Sequence, residues 1–274
     1  MELAGKVVIV TGGAAGMGAA MCRRFAAQGA AVVVSDLDVA GTEAVSGELG
    51  CLGVPADVRI ERDVVDLVER ANAKHGRVDV FVSNAGLLWG EPHDGVTPLQ
   101  ERGNPWASDL AWHNVWQVNV MAQVYAARAV LPQMLERGEG YLVQNASAGG
   151  LLTTLGNAPY ATSKHAAVGL TEWLSIHYGD RGIKVSCIVA EGVRTAMLRG
   201  AQGEWFAVEG ALEPEQVADC VVSGMREETF LILPHPKVEQ YFQGKAADYD
   251  QWLARMRHLR AKTPAAERGG EDAE

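Results

Sequence analysis

Short runs of β-branched residues alternate along this chain with longer stretches whose apolar positions recur at helical spacing. Lys6 to Val10 (KVVIV), Ala31 to Ser35 (AVVVS), Leu52 to Ala56 and Asp79 to Ser83 (DVFVS) read as strands. The run that begins at Tyr141, Ile183 to Val189, and Phe230 to Leu233 (FLIL) continue the series. Near-continuous apolar character marks strands covered on both faces, as in a parallel sheet. Between them, Val39–Leu49 and Ile60–His75 read as helices, the second with Val64, Val65, Leu67 and Val68 among charged residues. Leu110–Gly138, Tyr160–Tyr178 and Pro214–Met225 are further helices. Seven strands alternating with helices imply right-handed crossovers. The expected fold is α/β, a doubly wound seven-stranded parallel sheet with helices on both faces.

Two stretches break the alternation. Leu87 to Asp109 is irregular and carries Pro92, Pro98 and Pro105, and loops of that length are often functional. From about 191 to 212 the chain is Gly-rich and loosely patterned, with Trp205 and Phe206, and reads as a lid over a pocket. A charged, aromatic extension with a helix follows at about 234–260. One domain over residues 1–260 is expected, with a disordered tail at 261–274, where AAERGGEDAE offers no core-forming side chains.

Composition narrows the classes of partner. A formal net charge of −10 and a pI near 5.2 repel a phosphate backbone, so nucleic acid is excluded as the expected partner. Cys22, Cys51, Cys187 and Cys220 have no C-x-x-C spacing, which suits reduced thiols rather than a disulfide framework or a zinc site. The seven His show no zinc-binding arrangement, so no metal is expected. No apolar run reaches membrane-spanning length. The chain starts Met-Glu-Leu and enters a strand at once, so no signal peptide is expected and the expected location is cytoplasmic.

The chemistry concentrates in two places. After the first strand comes Thr11-Gly12-Gly13-Ala14-Ala15-Gly16-Met17-Gly18 and then a helix to about Ala27. Strand, glycine turn and helix N-terminus together accommodate a pyrophosphate, although such glycines also serve a plain flexible turn. Asp36 closes the second strand, 18 residues after Gly18, where an acid accepts from a ribose 2′-hydroxyl or simply caps the next turn. A carboxylate there opposes a 2′-phosphate and favours NAD over NADP, and no Arg or Lys lies between Ala30 and Gly50. The second place is Asn145 to Lys164 (NASAGGLLTTLGNAPYATSK). Tyr160 and Lys164 lie one helical turn apart, and a neighbouring ammonium favours the phenolate. Ser147, thirteen residues upstream of Tyr160, is placed to hold a carbonyl or alcohol oxygen beside the phenol. Spacing alone does not make a site, because Tyr241 and Lys245 repeat it with Glu228 in the serine position.

The ordered set Thr11-x-x-x-Gly-x-Gly, Asp36, Asp57, Asn84-Ala85-Gly86, Asn119, Ser147 and Tyr160-x-x-x-Lys164 resembles the short-chain dehydrogenase/reductase family, over roughly Leu3 to Leu233. The resemblance implies a single Rossmann fold and reversible hydride transfer between nicotinamide and a carbon bearing an oxygen. It implies Tyr160 as general acid/base, Lys164 as the group that lowers its pKa and holds the nicotinamide ribose, and Ser147 as the residue that polarises the substrate oxygen. Asn119 would kink its helix and hold a water that relays protons to Lys164. Gly12, Ala15, Gly16, Met17 and Gly18 would line the pyrophosphate. Asp36 and Leu37 would take the adenine ribose, Asp57 and Val58 the adenine. Asn84, Ala85 and Gly86 would steady the sheet beside the cofactor, and Val193 and Thr195 would meet the nicotinamide.

One position departs from that family. Ala190 and Glu191 stand where Pro-Gly is usual, either as drift in a tolerant loop or to place Glu191 against a polar or cationic substrate group. Leu87, Trp89, Ala148, Gly149, Asn157, Glu191 and Met197 are expected in the substrate wall. Their mostly apolar character suggests a secondary alcohol or ketone with a bulky hydrophobic body. The resemblance also implies a homotetramer or dimer pairing through Leu110–Gly138 and Tyr160–Tyr178. An NADP-linked ketoreductase and a non-catalytic dinucleotide sensor are the rival readings.

Overall fold

Alternate residues of the central strands point to opposite faces and meet different helices. The computed structural model describes residues 1–89, 107–199 and 210–262. Its sheet has seven parallel strands: β1 (Val7–Thr11), β2 (Ala31–Ser35), β3 (Leu52–Gly53), β4 (Val80–Ser83), β5 (Gly140–Asn145), β6 (Ile183–Ile188) and β7 (Leu231–Ile232). They lie in the order β3-β2-β1-β4-β5-β6-β7. Val8, Val10, Val32, Val34, Val80 and Val82 pack on one side, against α1 (Gly16–Ala27), α2 (Val39–Leu49) and α9 (Pro214–Glu227). Ile9, Val33, Phe81 and Leu142 pack on the other, against α3 (Glu61–His75), α5 (Ala122–Arg137) and α7 (Ala158–Tyr178). The period-2 geometry of a strand thus sends each apolar run into two cores. The sequence expectation of a doubly wound sheet holds.

The edges and the long helix differ from expectation in detail. β3 and β7 shrink to two residues each because an edge strand has one neighbour to pair with. Leu110–Gly138 is not one regular helix. It runs as α4 (Asp109–Trp116), a π-helical turn (Gln117–Met121), then α5. A short helix, α6 (Gly149–Leu152), follows β5, and α8 (Ala196–Arg199) follows β6. The extension forms two helices, α10 (Lys237–Ala247) and α11 (Tyr249–Lys262), so helix runs into the expected tail as far as Lys262. The proline-rich part of the Leu87–Asp109 loop, the middle of the 191–212 segment and residues 263–274 lie outside the described residues. Among the described residues no helix is long and apolar enough to cross a membrane, and no group of three side chains could hold a metal.

Register between β1 and β4 sets the positions of the two turns that leave their carboxyl ends. Asp79 fixes it from below: the buried Val7 N–H donates to Asp79 Oδ2 at 2.8 Å, and Arg77 pairs with Oδ1 at 2.8 Å. Replacing Asp79 by Ala leaves the buried Val7 N–H without its acceptor. Urea denaturation of Asp79→Ala should show a loss of about 2 kcal/mol in unfolding free energy. A loss below about 0.5 kcal/mol would mean the contact contributes nothing to the register.

Candidate active site

Strand order reverses between β1 and β4, so the loops leaving their carboxyl ends diverge and open a crevice. The cavity there measures about 980 Å³. A chain of amides holds its floor. Thr11 Oγ1 accepts from the Asn84 and Ala85 N–H groups at 3.1 and 3.2 Å. Asn84 Nδ2 donates back to Thr11 O at 3.0 Å and Gly12 O at 3.2 Å. Asn145 Nδ2 donates to Asn84 Oδ1 at 3.1 Å, and Lys164 Nζ donates to Asn145 O at 2.9 Å. The glycine turn and Lys164 are therefore linked through three strand ends. Asn145 had no assigned role in the sequence reading; its position as the last residue of β5 was the available signal.

At one end of the cleft lie Gly12, Ala15, Gly16, Met17, Gly18, Asp36, Leu37, Asp57 and Val58. The turn needs glycine. Gly16 has φ +51°, and a Cβ on it would lie 2.9 Å from Thr195 Cγ2. A Cβ on Gly18 would collide with the Gly12 carbonyl. Ala15 caps α1 without a side-chain hydrogen bond, and no acid stands in the first turn. The first N–H groups of α1 are thus free of side-chain caps and point their positive end at the cleft. These features fit a dinucleotide diphosphate. Asp36 accepts from Ala14 N–H and Asp38 N–H, each at 3.1 Å, and keeps lone pairs for further donors. Arg59 also lines this end, but its guanidinium is bound to Asp57 at 2.6–3.0 Å and holds that carboxyl below its usual pKa.

Ser147, Tyr160 and Lys164 line the same cleft, as do Asn84, Ala85 and Gly86. Asn157 Oδ1 caps α7 by accepting from Tyr160 N–H at 3.0 Å, which aims the tyrosine. Lys164 Nζ lies 5.6 Å from the centre of the Tyr160 ring. Ser147 Oγ accepts from Gly149 N–H at 3.1 Å. Lys164 is 3% exposed, and burial pushes its pKa from 10.5 down to about 8. It is still mostly protonated at neutral pH, so a positive charge sits beside the phenol.

Asn119 does not line the cleft. It is fully buried in the π turn, where one extra residue per turn frees it from the regular ladder. Its Nδ2 donates to Leu87 O (2.9 Å) and Ser163 Oγ (3.0 Å), and its Oδ1 accepts from Leu87 N–H (2.8 Å). Both amide hydrogens are thus used on the scaffold, while Oδ1 keeps a lone pair beyond the one that accepts from Leu87.

The residues expected in the substrate wall divide between the cleft and the scaffold. Leu87, Ala148, Gly149, Glu191 and Met197 line the cleft, as do Val193 and Thr195. Trp89 and Asn157 are not among the lining residues. Asn157 is 2% exposed because both ends of its amide are used, the second on Leu88 O at 2.9 Å. Glu191 has a cation of its own: Lys237 Nζ lies 3.4 Å from its carboxylate. The Glu191 N–H donates to His235 Nδ1 at 3.2 Å, and burial lowers the pKa of that imidazole. The wall completed by α10 and α11, with Tyr241, Trp252, Arg255 and Met256, was not anticipated. The helical spacing of Trp252, Met256 and Leu259 was the signal for it.

Residues 6–204 match the family model described as short chain dehydrogenase. The chain belongs to the short chain dehydrogenase family. It is 34% identical over 199 residues to 3beta-hydroxysteroid dehydrogenase 2 of Eggerthella lenta, covering 70% of this chain and 73% of that one. It is 38% identical over 204 residues to the sex determination protein tasselseed-2 of Zea mays, covering 73% of this chain and 59% of that protein. A Burkholderia phymatum short chain dehydrogenase/reductase solved in complex with NAD superposes with a TM-score of 0.80 at 26% identity, over 92% of this chain and 96% of that one. As a member of the short chain dehydrogenase family the chain is an oxidoreductase of the class that acts on alcohols and ketones.

The buried lysine gives a direct test. Below pH 8 the Lys164 ammonium is charged in both folded and unfolded chains, and burial opposes folding in full. Between 8 and 10.5 the folded chain releases the proton first, so stability rises with pH. Relative to Lys164→Met, the wild type should gain up to about 3 kcal/mol across that window. By 15N NMR, one of the seven lysine amines should titrate near 8 and vanish in the variant. Seven amines all titrating above 10 would contradict the burial argument.

Proposed function

We propose that this protein is an NAD(H)-dependent alcohol dehydrogenase/ketoreductase that interconverts a secondary alcohol and a ketone on a bulky hydrophobic substrate. The observation that carries it is the convergence of Ser147, Tyr160 and the charged Lys164 on a cleft whose other end is a glycine turn at a helix N-terminus. Gly12 to Gly18 would hold the diphosphate, Asp36 and Leu37 the adenosine ribose, and Asp57 and Val58 the adenine. Val193 and Thr195 would meet the nicotinamide. Bound there, the dinucleotide supplies a hydride acceptor or donor.

The chain's own residues manage the proton. In the oxidative direction the Tyr160 oxygen takes the hydroxyl proton of the substrate; in reduction it returns one to the carbonyl oxygen. Lys164 stabilises the negative charge left on the phenol oxygen. Ser147 Oγ donates to the substrate oxygen and fixes its place beside the phenol. Leu87, Leu88, Val118, Leu152 and Met197 give the adjacent wall its apolar character, which favours a bulky hydrophobic body over a sugar. The Eggerthella relative, named for action on a hydroxysteroid, makes such alcohols the first to try.

NAD is favoured over NADP by Asp36, by the absence of Arg and Lys from 30 to 50, and by the neutralisation of Arg59 on Asp57. Leu110 on α4 and Trp173 and Ile176 on α7 leave large apolar surface exposed, which supports pairing of two or four copies along these helices. A cytoplasmic location is consistent with this chemistry and with free cysteines.

Absorbance at 340 nm over a panel of secondary alcohols, hydroxysteroids included, tests the reading. NADH should form with at least one bulky alcohol, and Tyr160→Phe should lower kcat by about 100-fold or more. No turnover with any alcohol or ketone, alongside tight dinucleotide binding, would favour a sensor instead. Asp36→Ala should cut kcat/KM for NAD by about tenfold and raise that for NADP. A wild type that already prefers NADP would overturn the cofactor assignment.

A further inference from the structure

The family match ends at residue 204, and the cleft does not. Its outer wall is made by α10 and α11, through Lys237, Tyr241, Trp252, Arg255, Met256 and Leu259. Lys245, from the second Tyr-x-x-x-Lys spacing, pins this wall to the catalytic side. It is 7% exposed, and its Nζ donates to Leu151 O at 2.6 Å. The same ammonium lies 4.6 Å from the centre of the Trp252 ring and 5.3 Å from that of Tyr249. Leu151 lies four residues after Ser147, in α6. A buried ammonium is costly to leave unpartnered, so the carbonyl and the two rings hold the hairpin in one position.

Charge then decides what the wall can take. Of its two cations, Lys237 is paired with Glu191. Arg255 is hydrogen-bonded to the neutral Gln251 Oε1 at 2.5 Å, and among the described residues no carboxylate pairs with it. It stands on an apolar stripe in a chain whose net charge is −10. An exposed guanidinium that lines the cleft beside Trp252 and Leu259, with no carboxylate partner among the described residues, matches the two coplanar oxygens of a carboxylate.

We propose that Arg255 binds a carboxylate carried on the hydrophobic body of the substrate, a second point of attachment besides Ser147 and Tyr160. The proposal rests on the oxidoreductase reading of the cleft for its substrate and deepens it to a class, bulky secondary alcohols and ketones that are also acids. Because Arg255 is exposed in the ligand-free chain, the preference expected is moderate, about tenfold.

The test uses 4-(4-oxocyclohexyl)benzoate and its methyl ester, titrated calorimetrically into enzyme saturated with NAD+, a combination that cannot turn over. Wild type should bind the acid about tenfold tighter than the ester. Arg255→Gln should bind the two equally, and Arg255→Lys should fall between. Equal binding by wild type, no binding of either, or a preference that survives Arg255→Gln would overturn the anchor. The corresponding alcohols, followed at 340 nm, separate this from the parent reading. NADH formed from the ester without any preference for the acid would sink the anchor and leave the oxidoreductase standing. A binding preference without NADH from either alcohol would keep the anchor and sink the chemistry.

Discussion

A positive charge kept out of water organises the part of the cleft that holds Tyr160 and Ser147. Lys164 is almost wholly enclosed, and its one hydrogen bond among the described residues goes to the Asn145 carbonyl. No carboxylate offsets it there, which is why burial brings its pKa down toward neutrality. A charge in that condition is stabilised by anything negative that comes near. The group one turn away is the Tyr160 phenol, so the cost of burying the ammonium becomes a preference for negative charge on the phenol oxygen.

That arrangement depends on amides at strand ends. Thr11, Asn84 and Asn145 close three neighbouring strands, and their mutual hydrogen bonds tie the glycine turn to the carbonyl that holds Lys164. Asn119 does the same on the other side, binding the Leu87 backbone and Ser163 from a π turn. Such a network in a low-dielectric interior is stiff, because each member lost would leave another unsatisfied. Stiffness is what the proposed proton transfer would require of Ser147, Tyr160 and Lys164.

The departure from Pro-Gly after β6 belongs to this chain's own additions. Glu191 reaches Lys237 on α10, and its N–H meets His235 just before that helix. Together with Lys245 on Leu151, these contacts attach the C-terminal hairpin to the two segments that flank the reacting groups. The exposed ion pair contributes little stability by itself. Its consequence is positional: a wall from beyond the family match stands over the substrate end of the cleft.

The fold and the family were legible in the sequence because they follow local rules. Apolar β-branched runs, a glycine turn between strand and helix, and Tyr160 one turn before Lys164 each have their meaning within a few residues. What lies far apart in the chain did not show. Asn157 reads as a wall residue until its amide is seen to cap α7 and hold Leu88. Glu191 reads as drift in a tolerant loop or as a partner for a polar or cationic substrate group until Lys237, 46 positions on, is found beside it. Lys245 reads as a chance repeat of a spacing until Leu151 closes over it. Sequence by itself determined the kind of sheet and the one-turn spacing of Tyr160 and Lys164, because backbone periodicity and helix geometry are local. Only the tertiary structure decided which polar side chains serve the scaffold and which face the cleft, because hydrogen-bond partners and burial are set by chain segments that meet across the fold.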